Sequence, residues 1–524
     1  MTDTARPAFL PPLPYPWLES PLWLAAAAAL VVFGALVLGL GHPFYYYLDY
    51  ETVLLAGQAR HFAEIGPVAL AFQNVTRILA DGTIEWYSRR PPGVPLLMSI
   101  VYQIAGATVL STRLFALAEA LTLLAATYLF TRQVFGARVA AITALIFAGW
   151  PGLLANIARF TFYETLAAAA AVFAAWLYIR WFQQRTPGRF ALLAAVTLTG
   201  CWLSWEFYFM LPVLGLHWLI FAGADRWRQL GWMVGLAALP VLTLGVMFAL
   251  AGQVRSSTLT EGFTDRIVGE QSLLADYVLL ARVYLTQSVI HFGPPAGILA
   301  LIALGMAGRA IWQHRAFPPQ AFWMVGLGAF GLLFFVVVRN ILPGHDFLMV
   351  LVMPWMALLA ALGIGWVAHW ARSALVPALG IAAMVGWSVG AAAYLAHPDF
   401  AIEGHMASLN DNITDVLFLS EHLDTGEAAL AAFRTSRYPD FYLSPVDRYA
   451  AVCITDLAAF RAEMARSARY AYFVALRAEL DPDWQPEAPR AAQVYPCEPL
   501  DPALLAYLAE AGYPVTLSGD YWIV

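Results

Sequence analysis

Apolar runs of helix length recur through the first 396 residues, and short polar segments separate them. A helix that crosses a bilayer needs about 20 predominantly apolar residues, so this pattern predicts a mainly α polytopic membrane protein. The first run is longer than the core of a signal peptide and no cleavage pattern follows it, which predicts a retained span. The runs occupy about residues 21–40, 92–110, 112–131, 138–155, 162–182, 190–204, 206–221, 229–251, 292–312, 320–338, 347–369 and 374–396.

Arginines between the runs orient the predicted spans. Cytoplasmic connections are enriched in basic residues, and the arginine-rich connections alternate along this chain only if the run at 92–110 does not cross. That run begins PPGVP, so we interpret it as a juxtamembrane or re-entrant segment. About eleven transmembrane helices remain, with the N-terminus cytoplasmic and the C-terminal tail outside. The segments predicted to share the outer face are the loops 42–111 and 253–291 and the turns 156–163 and 339–346.

Two regions depart from the pattern of complete spans. The runs that meet near residues 202–207 are short and Glu206 lies at their junction, which predicts a helix pair broken near the outer surface. From about Pro398 the composition becomes that of a soluble protein, and helical stretches alternate with apolar strand candidates. We therefore predict a transmembrane domain over residues 1–397 and a small extracytoplasmic α/β domain over residues 398–524. The predicted helices of the tail lie at about 407–423, 455–467 and 501–511, and its strand candidates are AALAAF, YAAVCI, YAYFVAL and PVTLSGDYWIV.

The composition agrees with a membrane protein and limits its partners. The chain is 61% hydrophobic and 12% charged, against about 25% charged in a typical soluble domain. It contains no lysine, so all 29 basic residues are arginine. An anion site must then use guanidinium, which stays charged and can bind an oxyanion through two parallel hydrogen bonds. The net charge of -6 argues against nucleic acid as a partner.

The three cysteines do not have the spacing of a metal site. Cys201 lies in an apolar run, whereas Cys453 and Cys497 lie in the polar tail. An oxidising compartment would permit a disulfide between the two cysteines of the tail. Two unrelated buried thiols fit the sequence equally well.

Charged residues on the predicted outer face are the candidates for chemistry, because a charge near the bilayer centre costs about 2.5–3.5 kcal/mol on the insertion scale. Asp49 and Glu51 directly follow the first run. They either take part in chemistry or mark the membrane boundary and the beginning of a surface helix. Arg89 and Arg90 precede a Pro-Pro corner beside Trp86, where they could bind a phosphate or ordinary lipid headgroups.

Two further charged groups belong to the same face. Arg159 and Glu164 flank a short outer turn, where a structural ion pair is the alternative to a functional role. Arg339, His345 and Asp346 surround a Pro-Gly turn before a span, where the histidine could simply satisfy local hydrogen bonds. Acids and arginines gathered on one face of a lipid-embedded fold are what an enzyme acting on a phosphorylated lipid requires.

Over about residues 20–370 the chain resembles the GT-C polyprenyl-phosphate-sugar glycosyltransferases, the group that contains protein O-mannosyltransferases and the lipid A aminoarabinose transferase. The resemblance rests on the order and spacing of four segments rather than on any single motif. It implies a fold whose first outer loop forms juxtamembrane helices over a cavity, with the lipid tail of the donor in a groove between helices. The four segments are YYYLDYE, SRRPPG, GARVAAITALIFAGWPGLLANIARFTFYET and HDFLMVLVMPWMALLAALG.

The resemblance also implies roles for individual residues. Asp49 takes the place of the first-loop acid near the acceptor, and Glu164 that of the second outer-loop acid. Arg90 would bind the donor phosphate, and His345 corresponds to a late polar residue beside it. These roles imply an inverting transfer in which a carboxylate accepts the proton of an acceptor hydroxyl.

Three positions depart from the pattern of the family. Glu164 stands where many members have aspartate, and Glu206 lies where a lysine is common. Arg89 replaces a glutamate that some relatives use for metal binding. We therefore predict no cofactor, and a divalent metal has no support in the sequence.

The sequence thus predicts a glycosyltransferase that moves a hexosyl or pentosyl group from a polyprenyl-phosphate-linked donor to a glycan, lipid or protein acceptor. It would lie among membrane lipids, in the inner membrane of a bacterium, without nucleic acid. A transporter or flippase remains open, although its paired hydropathy repeats are not seen, as does a non-catalytic lipid-binding protein. The site residues are Asp49, Glu51 and Glu164 for catalysis, Arg89, Arg90, Arg339 and His345 for the phosphate, and Arg159, Tyr163, Glu206 and Asp346 for positioning acceptor or sugar.

Overall fold

The structure is a computed structural model, and its description covers most of the helical region and parts of the tail. The described residues are 49–78, 84–87, 90–150, 161–251, 273–314, 317–338, 346–371, 380, 382–384, 386–387, 422, 428–431, 449–451, 454–466, 470–476, 500–511, 516–518 and 521–523. The predicted first span, the predicted last span and both tail cysteines lie outside these residues.

Helices dominate the described part of the chain up to residue 371. A small antiparallel sheet of two strands precedes the second helix, and short 3-10 segments lie at Trp205–Phe209, Gly223–Asp225 and Asp346–Leu351. In chain order the elements are α1 (Asp49–Ile65), β1 (Val75–Ile78), β2 (Ile84–Trp86), α2 (Gly93–Ala105), α3 (Val109–Phe135), α4 (Ala137–Ala148), α5 (Tyr163–Gln183), α6 (Pro187–Leu203), α7 (Met210–Phe221), α8 (Arg226–Ala251), α9 (Leu273–His314), α10 (Pro319–Val337) and α11 (Met353–Ala371).

Five of the described helices are long and apolar enough to cross a membrane, which supports the prediction of an integral membrane protein. The helix α2 has 13 residues, or about 20 Å, which is shorter than the roughly 30 Å hydrocarbon core of a bilayer. The five candidate spans are Val109–Phe135, Tyr163–Gln183, Ala275–Gln313, Pro319–Val337 and Met353–Ala371.

Two boundaries differ from the sequence prediction. The segment 253–291 was predicted as a loop, but α9 begins at Leu273 and continues past Pro294 and Pro295. Gly293 has φ 79, so the backbone kinks there and resumes the helix. The Gly-Pro-Pro sequence therefore marks a kink inside a helical segment rather than the beginning of a helix. The run at 138–155 also gives a shorter helix than predicted, since α4 ends at Ala148.

The chain divides into two compact units. The first comprises residues 1–40, 88–94 and 113–395, and the second comprises residues 41–87, 95–112 and 396–524. In the first unit, α9 and α11 approach closely because Gly363 has no side chain to keep it from the backbone of Leu299. Trp355 of α11 donates a hydrogen bond from Nε1 to the Met324 carbonyl at 2.6 Å, which ties α11 to α10.

The second unit contains α1, the two-stranded sheet and the strands of the tail. Phe62 of α1 packs with Leu70 and Val75 in a small apolar core. The described elements of the tail are β3 (Ala428–Ala431), β4 (Tyr449–Ala451), α12 (Leu457–Arg466), β5 (Tyr470–Leu476), α13 (Pro502–Glu510), β6 (Thr516–Ser518) and β7 (Tyr521–Ile523). The five strands form one sheet in the order β4-β3-β5-β7-β6, in which β3 runs parallel to β4 and β5 and the remaining pairs are antiparallel. The two helices pack on it through Phe460 and Leu504.

Candidate functional site

A buried arginine lies at the centre of a cluster of acidic side chains in the first unit. Arg90, in the Pro-Pro segment before α2, is only 8% exposed. Its Nη2 donates to Glu164 and its Nη1 donates to Glu206, both as ion pairs. Nη1 also donates to the Ser204 Oγ at 3.3 Å. One guanidinium thus joins its own segment to two others, whose contacting residues lie 74 to 116 positions further along the sequence.

The beginning of α5 places two of the residues around Arg90. Phe162 is extended and α5 begins at Tyr163, so Glu164 lies in the first helical turn. A carboxylate there interacts favourably with the positive end of the helix dipole. The ring of Tyr163 lies beside the guanidinium, with its centroid 5.5 Å from the Arg90 Cζ. This distance is within the range of a cation–π contact.

A break between two helices positions the remaining residues of the cluster, Ser204 and Glu206. The helix α6 ends at Leu203, Ser204 is extended (φ −165°, ψ 158°), and the chain continues through the 3-10 segment Trp205–Phe209 into α7. The break confirms the interruption that the sequence predicts at residues 202–207. It brings the Ser204 hydroxyl to Glu206, to which it donates a hydrogen bond.

Two glycines allow the segments around Arg90 to approach one another. A Cβ on Gly93 would clash with the backbone of Trp202 at the end of α6, with the Trp202 carbonyl carbon only 2.6 Å away. A Cβ on Gly200 would collide with the ring of Phe207 in the 3-10 segment. Gly93 therefore lets the Pro-Pro segment lie against the break, and Gly200 lets the 3-10 segment fold back on α6.

A third carboxylate lies close to this cluster. Glu119 of α3 is 1% exposed and lies near the backbone of Phe162 and within electrostatic range of Glu164. Burying a carboxylate in apolar surroundings is costly, so its position beside the cluster is unusual for a residue that only packs.

The cluster can interact with an anion, with hydroxyl groups and with a proton. Burial makes each charge expensive unless it is paired, and Arg90 is paired twice. The guanidinium can hold a phosphate or sulfate through charge-assisted hydrogen bonds, and the carboxylates can accept from hydroxyls. Within the described ranges, no group of three or more His, Cys, Asp and Glu side chains is arranged to hold a metal ion.

The structure brings together four of the residues that the sequence nominates. These are Arg90, Tyr163, Glu164 and Glu206. The ion-pair partner observed for Glu164 is Arg90, whereas the sequence analysis considered a pair with Arg159. Ser204 and Glu119 were not nominated, although a carboxylate inside an apolar run is itself a signal that could have found Glu119.

The remaining nominated residues are described in part or not at all. Asp49 and Glu51 lie in the first turn of α1, and Asp346 begins a 3-10 segment, but their side chains lie outside the description. Their predicted roles therefore stay predictions. The residues that lie wholly outside the described ranges are Arg89, Arg159, Arg339 and His345.

The sequence of this helical region matches a known enzyme family. The family model described as dolichyl-phosphate-mannose-protein mannosyltransferase matches residues 89–249. That range contains Arg90, Glu119, Glu164, Ser204 and Glu206. A comparison with curated protein sequences gave no significant match.

Solved structures share the fold over nearly the whole chain. ArnT from Cupriavidus metallidurans in the apo state is 16% identical with a TM-score of 0.57, and the match covers 97% of each chain. The same protein bound to undecaprenyl phosphate gives 15% identity, a TM-score of 0.56 and the same coverage. The oligosaccharyltransferase AglB from Archaeoglobus fulgidus, in complex with an inhibitory peptide and a dolichol-phosphate, is 14% identical with a TM-score of 0.53. That match covers 88% of this chain and 70% of the other. Together with the family model, these matches confirm the resemblance to GT-C glycosyltransferases.

Proposed function

We propose that this GT-C membrane protein is a glycosyltransferase that moves a sugar from a polyprenyl-phosphate donor to an acceptor, with inversion and on the extracytoplasmic face. The observation that carries the proposal is the buried Arg90 between two carboxylates, in the segment that matches the mannosyltransferase family. The fold shared with ArnT, which has been solved with undecaprenyl phosphate, supports a lipid-phosphate donor.

The chemistry of this transfer fits the charges of the site. The bond between the anomeric carbon and the phosphate oxygen breaks, and polyprenyl phosphate leaves as an anion. A bond forms between that carbon and the acceptor oxygen on the opposite face of the sugar. A cation held beside the leaving oxygen stabilises the charge that develops in the transition state, and we assign this role to Arg90. We assign Arg89, Arg339 and His345 to support of the phosphate.

The acceptor side requires a group that takes a proton when the acceptor is a hydroxyl. We assign this role to Asp49, with Glu51 as its neighbour, and we assign Glu164 to orienting the acceptor or the sugar. An acceptor that is itself a phosphate needs no base, and Asp49 would then only position it. The further residues assigned to positioning are Arg159, Tyr163, Glu206 and Asp346.

The proposal includes a topology. It has about eleven spans, with the N-terminus in the cytoplasm of a bacterium. The tail, residues 398–524, would form an α/β domain outside the inner membrane. In this arrangement the tail would bind the acceptor. A glycan, a lipid or a protein would serve as the acceptor.

Release of polyprenyl phosphate from a labelled undecaprenyl-phosphate sugar tests the activity. Purified protein in detergent should release the lipid phosphate in the presence of acceptor extract, and Arg90→Ala should lower the rate by about 10²–10³-fold. Asp49→Asn should lower the rate with hydroxyl acceptors while leaving donor binding unchanged.

Asp225→Asn is the matched control, because this carboxylate belongs to an exposed ion pair with Arg185. It should transfer sugar at the wild-type rate. Wild-type protein that releases no polyprenyl phosphate from any common donor, but moves solute across liposome membranes, would favour transport. An Asp49→Asn variant that folds and transfers at the wild-type rate would reject Asp49 as the base.

A further inference from the structure

Arg90 is already engaged on both terminal nitrogens. Nη1 donates to Glu206 and to Ser204, and Nη2 donates to Glu164. These pairs set one positive charge against two negative charges in a buried environment. A phosphate that approaches Arg90 adds a further negative charge, and like charges repel strongly where water is excluded. Binding of a lipid phosphate is therefore favoured when a carboxylate gives up its place on Arg90.

The two carboxylates are held by different structures. Glu164 lies in the first turn of a regular helix of 21 residues, where the helix terminus favours its negative charge. Glu206 lies in a 3-10 segment of five residues that directly follows the extended Ser204. A 3-10 segment has poorer hydrogen-bond geometry than an α-helix, so Glu206 has the less rigid support of the two.

Ser204 links Glu206 to the place that a phosphate would occupy. Its hydroxyl donates to Glu206 and accepts from the Arg90 Nη1. If Glu206 moves away, this hydroxyl is left beside the guanidinium with its proton free to donate to an incoming oxyanion. One displacement thus removes a negative charge from Arg90 and supplies a second donor to the phosphate.

We propose that Glu206 is the exchangeable partner of Arg90, and that the donor phosphate replaces it on Nη1 while Glu164 stays paired with Nη2. The inference rests on the proposed function, because it presupposes a lipid phosphate at Arg90. Glu206 is then a residue that sets donor affinity. Once released, its carboxylate is available to accept a hydrogen bond from a sugar or acceptor hydroxyl, so that binding of the donor completes the positioning side of the site.

Equilibrium binding of undecaprenyl phosphate to the purified full chain in detergent tests the exchange. Glu206→Gln keeps the shape and the hydrogen bond with Ser204 but removes the competing charge, so it should lower the Kd for undecaprenyl phosphate by about tenfold, equivalent to about 1.4 kcal/mol. Glu206→Asp keeps the charge but is shorter by one methylene, so it should lower the Kd by a smaller factor.

Two further variants make the test specific. Glu164→Gln should tighten binding less than Glu206→Gln does, because Glu164 stays on Arg90 in both states and does not have to be displaced. Asp225→Asn controls for the loss of one negative charge elsewhere on the protein and should leave the Kd unchanged. Thermal unfolding of each variant identifies any that does not fold. If Glu206→Gln does not fold, the Kd of Glu206→Asp tests the exchange in its place.

Each outcome decides a different point. Wild-type protein that neither binds undecaprenyl phosphate nor releases it from a labelled donor would overturn the proposed function, and the exchange with it. If the wild-type protein binds undecaprenyl phosphate and both Glu206 variants bind it equally well or more weakly, the exchange alone would be overturned. Binding that Glu164→Gln tightens more than Glu206→Gln does would identify Glu164 as the residue that leaves, and would also overturn this assignment.

Discussion

Two arginines of the first unit form ion pairs with carboxylates in opposite environments. Arg90 pairs with Glu164 and Glu206, and the exposed fractions of these three side chains are 7%, 2% and 1%. Arg185 pairs with Asp225 at 2.7 Å, with side chains that are 33% and 50% exposed. The chemical groups are the same in both places, so the difference lies in the water that surrounds them.

The difference in burial distinguishes Arg90, a candidate for function, from Arg185, which marks the boundary of a span. An exposed pair contributes about 0–1 kcal/mol because water screens it, and arginine beside a span is expected from orientation alone. A buried pair recovers its desolvation cost only with good geometry and further hydrogen bonds. A chain that keeps Arg90 buried among acids accepts a cost that apolar residues would avoid, which is typical of a site under functional selection.

Removal of the two arginines should show the largest contrast. We expect Arg90→Ala to lower the free energy of unfolding by about 3–5 kcal/mol, because Glu164 and Glu206 would stay buried without their cation. We expect Arg185→Ala to lower it by no more than about 1 kcal/mol. Thermal unfolding in the same detergent, followed by tryptophan fluorescence, measures both. Equal losses of unfolding free energy in the two variants would show that burial does not make the ion pairs of Arg90 more important for stability than the exposed pair of Arg185.

A buried histidine in the second unit extends the comparison to pH. His61 of α1 is 4% exposed, and burial lowers its pKa from the ordinary 6.5 to about 4, with smaller effects from Glu64, the Val75 backbone and Arg60. Below pH 6.5 the unfolded chain binds a proton that folded His61 does not bind. Stability should therefore fall as the pH decreases from about 6.5 to about 4, by about 1.4 kcal/mol per unit and about 3 kcal/mol in total.

The variant His61→Gln isolates this effect. Thermal unfolding at several pH values between 4 and 7.5 should show a shallower loss of stability for the variant than for the wild type. Parallel curves for the two proteins would mean that folded His61 binds a proton as readily as the unfolded chain does. Carboxylates that titrate in the same range contribute equally to both curves, so the difference belongs to His61.

The smallest expected effect concerns how the buried cluster is assembled. Gly93→Ala would force the Pro-Pro segment away from the Trp202 backbone, and we expect a loss of about 1–3 kcal/mol together with weaker binding of undecaprenyl phosphate. Gly231→Ala in α8 is the matched control, since nothing lies within 4 Å of its added Cβ. That control should stabilise the protein by up to about 1 kcal/mol through helix propensity. A Gly93→Ala variant as stable as the control would show that the approach to Trp202 is not required.

The sequence predicts which residues belong to this site better than it predicts which of them contact one another. Arg90 and Glu164 stand out because charge is rare in apolar surroundings, and the break near Glu206 follows from two runs too short to span. The pairing of Arg90 with residues 74 and 116 positions away depends on helix packing, which hydrophobic periodicity does not encode. Glu119 was overlooked because a single acid does not interrupt an apolar run.

The fold shows the same division between local and non-local information. The segment 253–291 was predicted as a loop because the next apolar run begins only at residue 292, yet from Leu273 the chain is helical on both sides of a kink at Gly293. In the tail, the segments AALAAF, YAAVCI and YAYFVAL each contain a strand in the structure. Their order in the sheet depends on contacts between residues that are distant in the sequence.

The break at Ser204 has a consequence for the lipid around it. The helix α6 has 17 residues and is therefore about 26 Å long, shorter than the roughly 30 Å hydrocarbon core of a bilayer. Leu192 and Leu198 on α6, and Leu216 and Leu219 on α7, are 41–51% exposed and available to acyl chains. A bilayer adapts to short apolar helices by thinning locally, at a cost of fractions of a kcal/mol per Å. We therefore expect the headgroup layer to dip toward the break, which would shorten the path of a lipid phosphate from the membrane to Arg90.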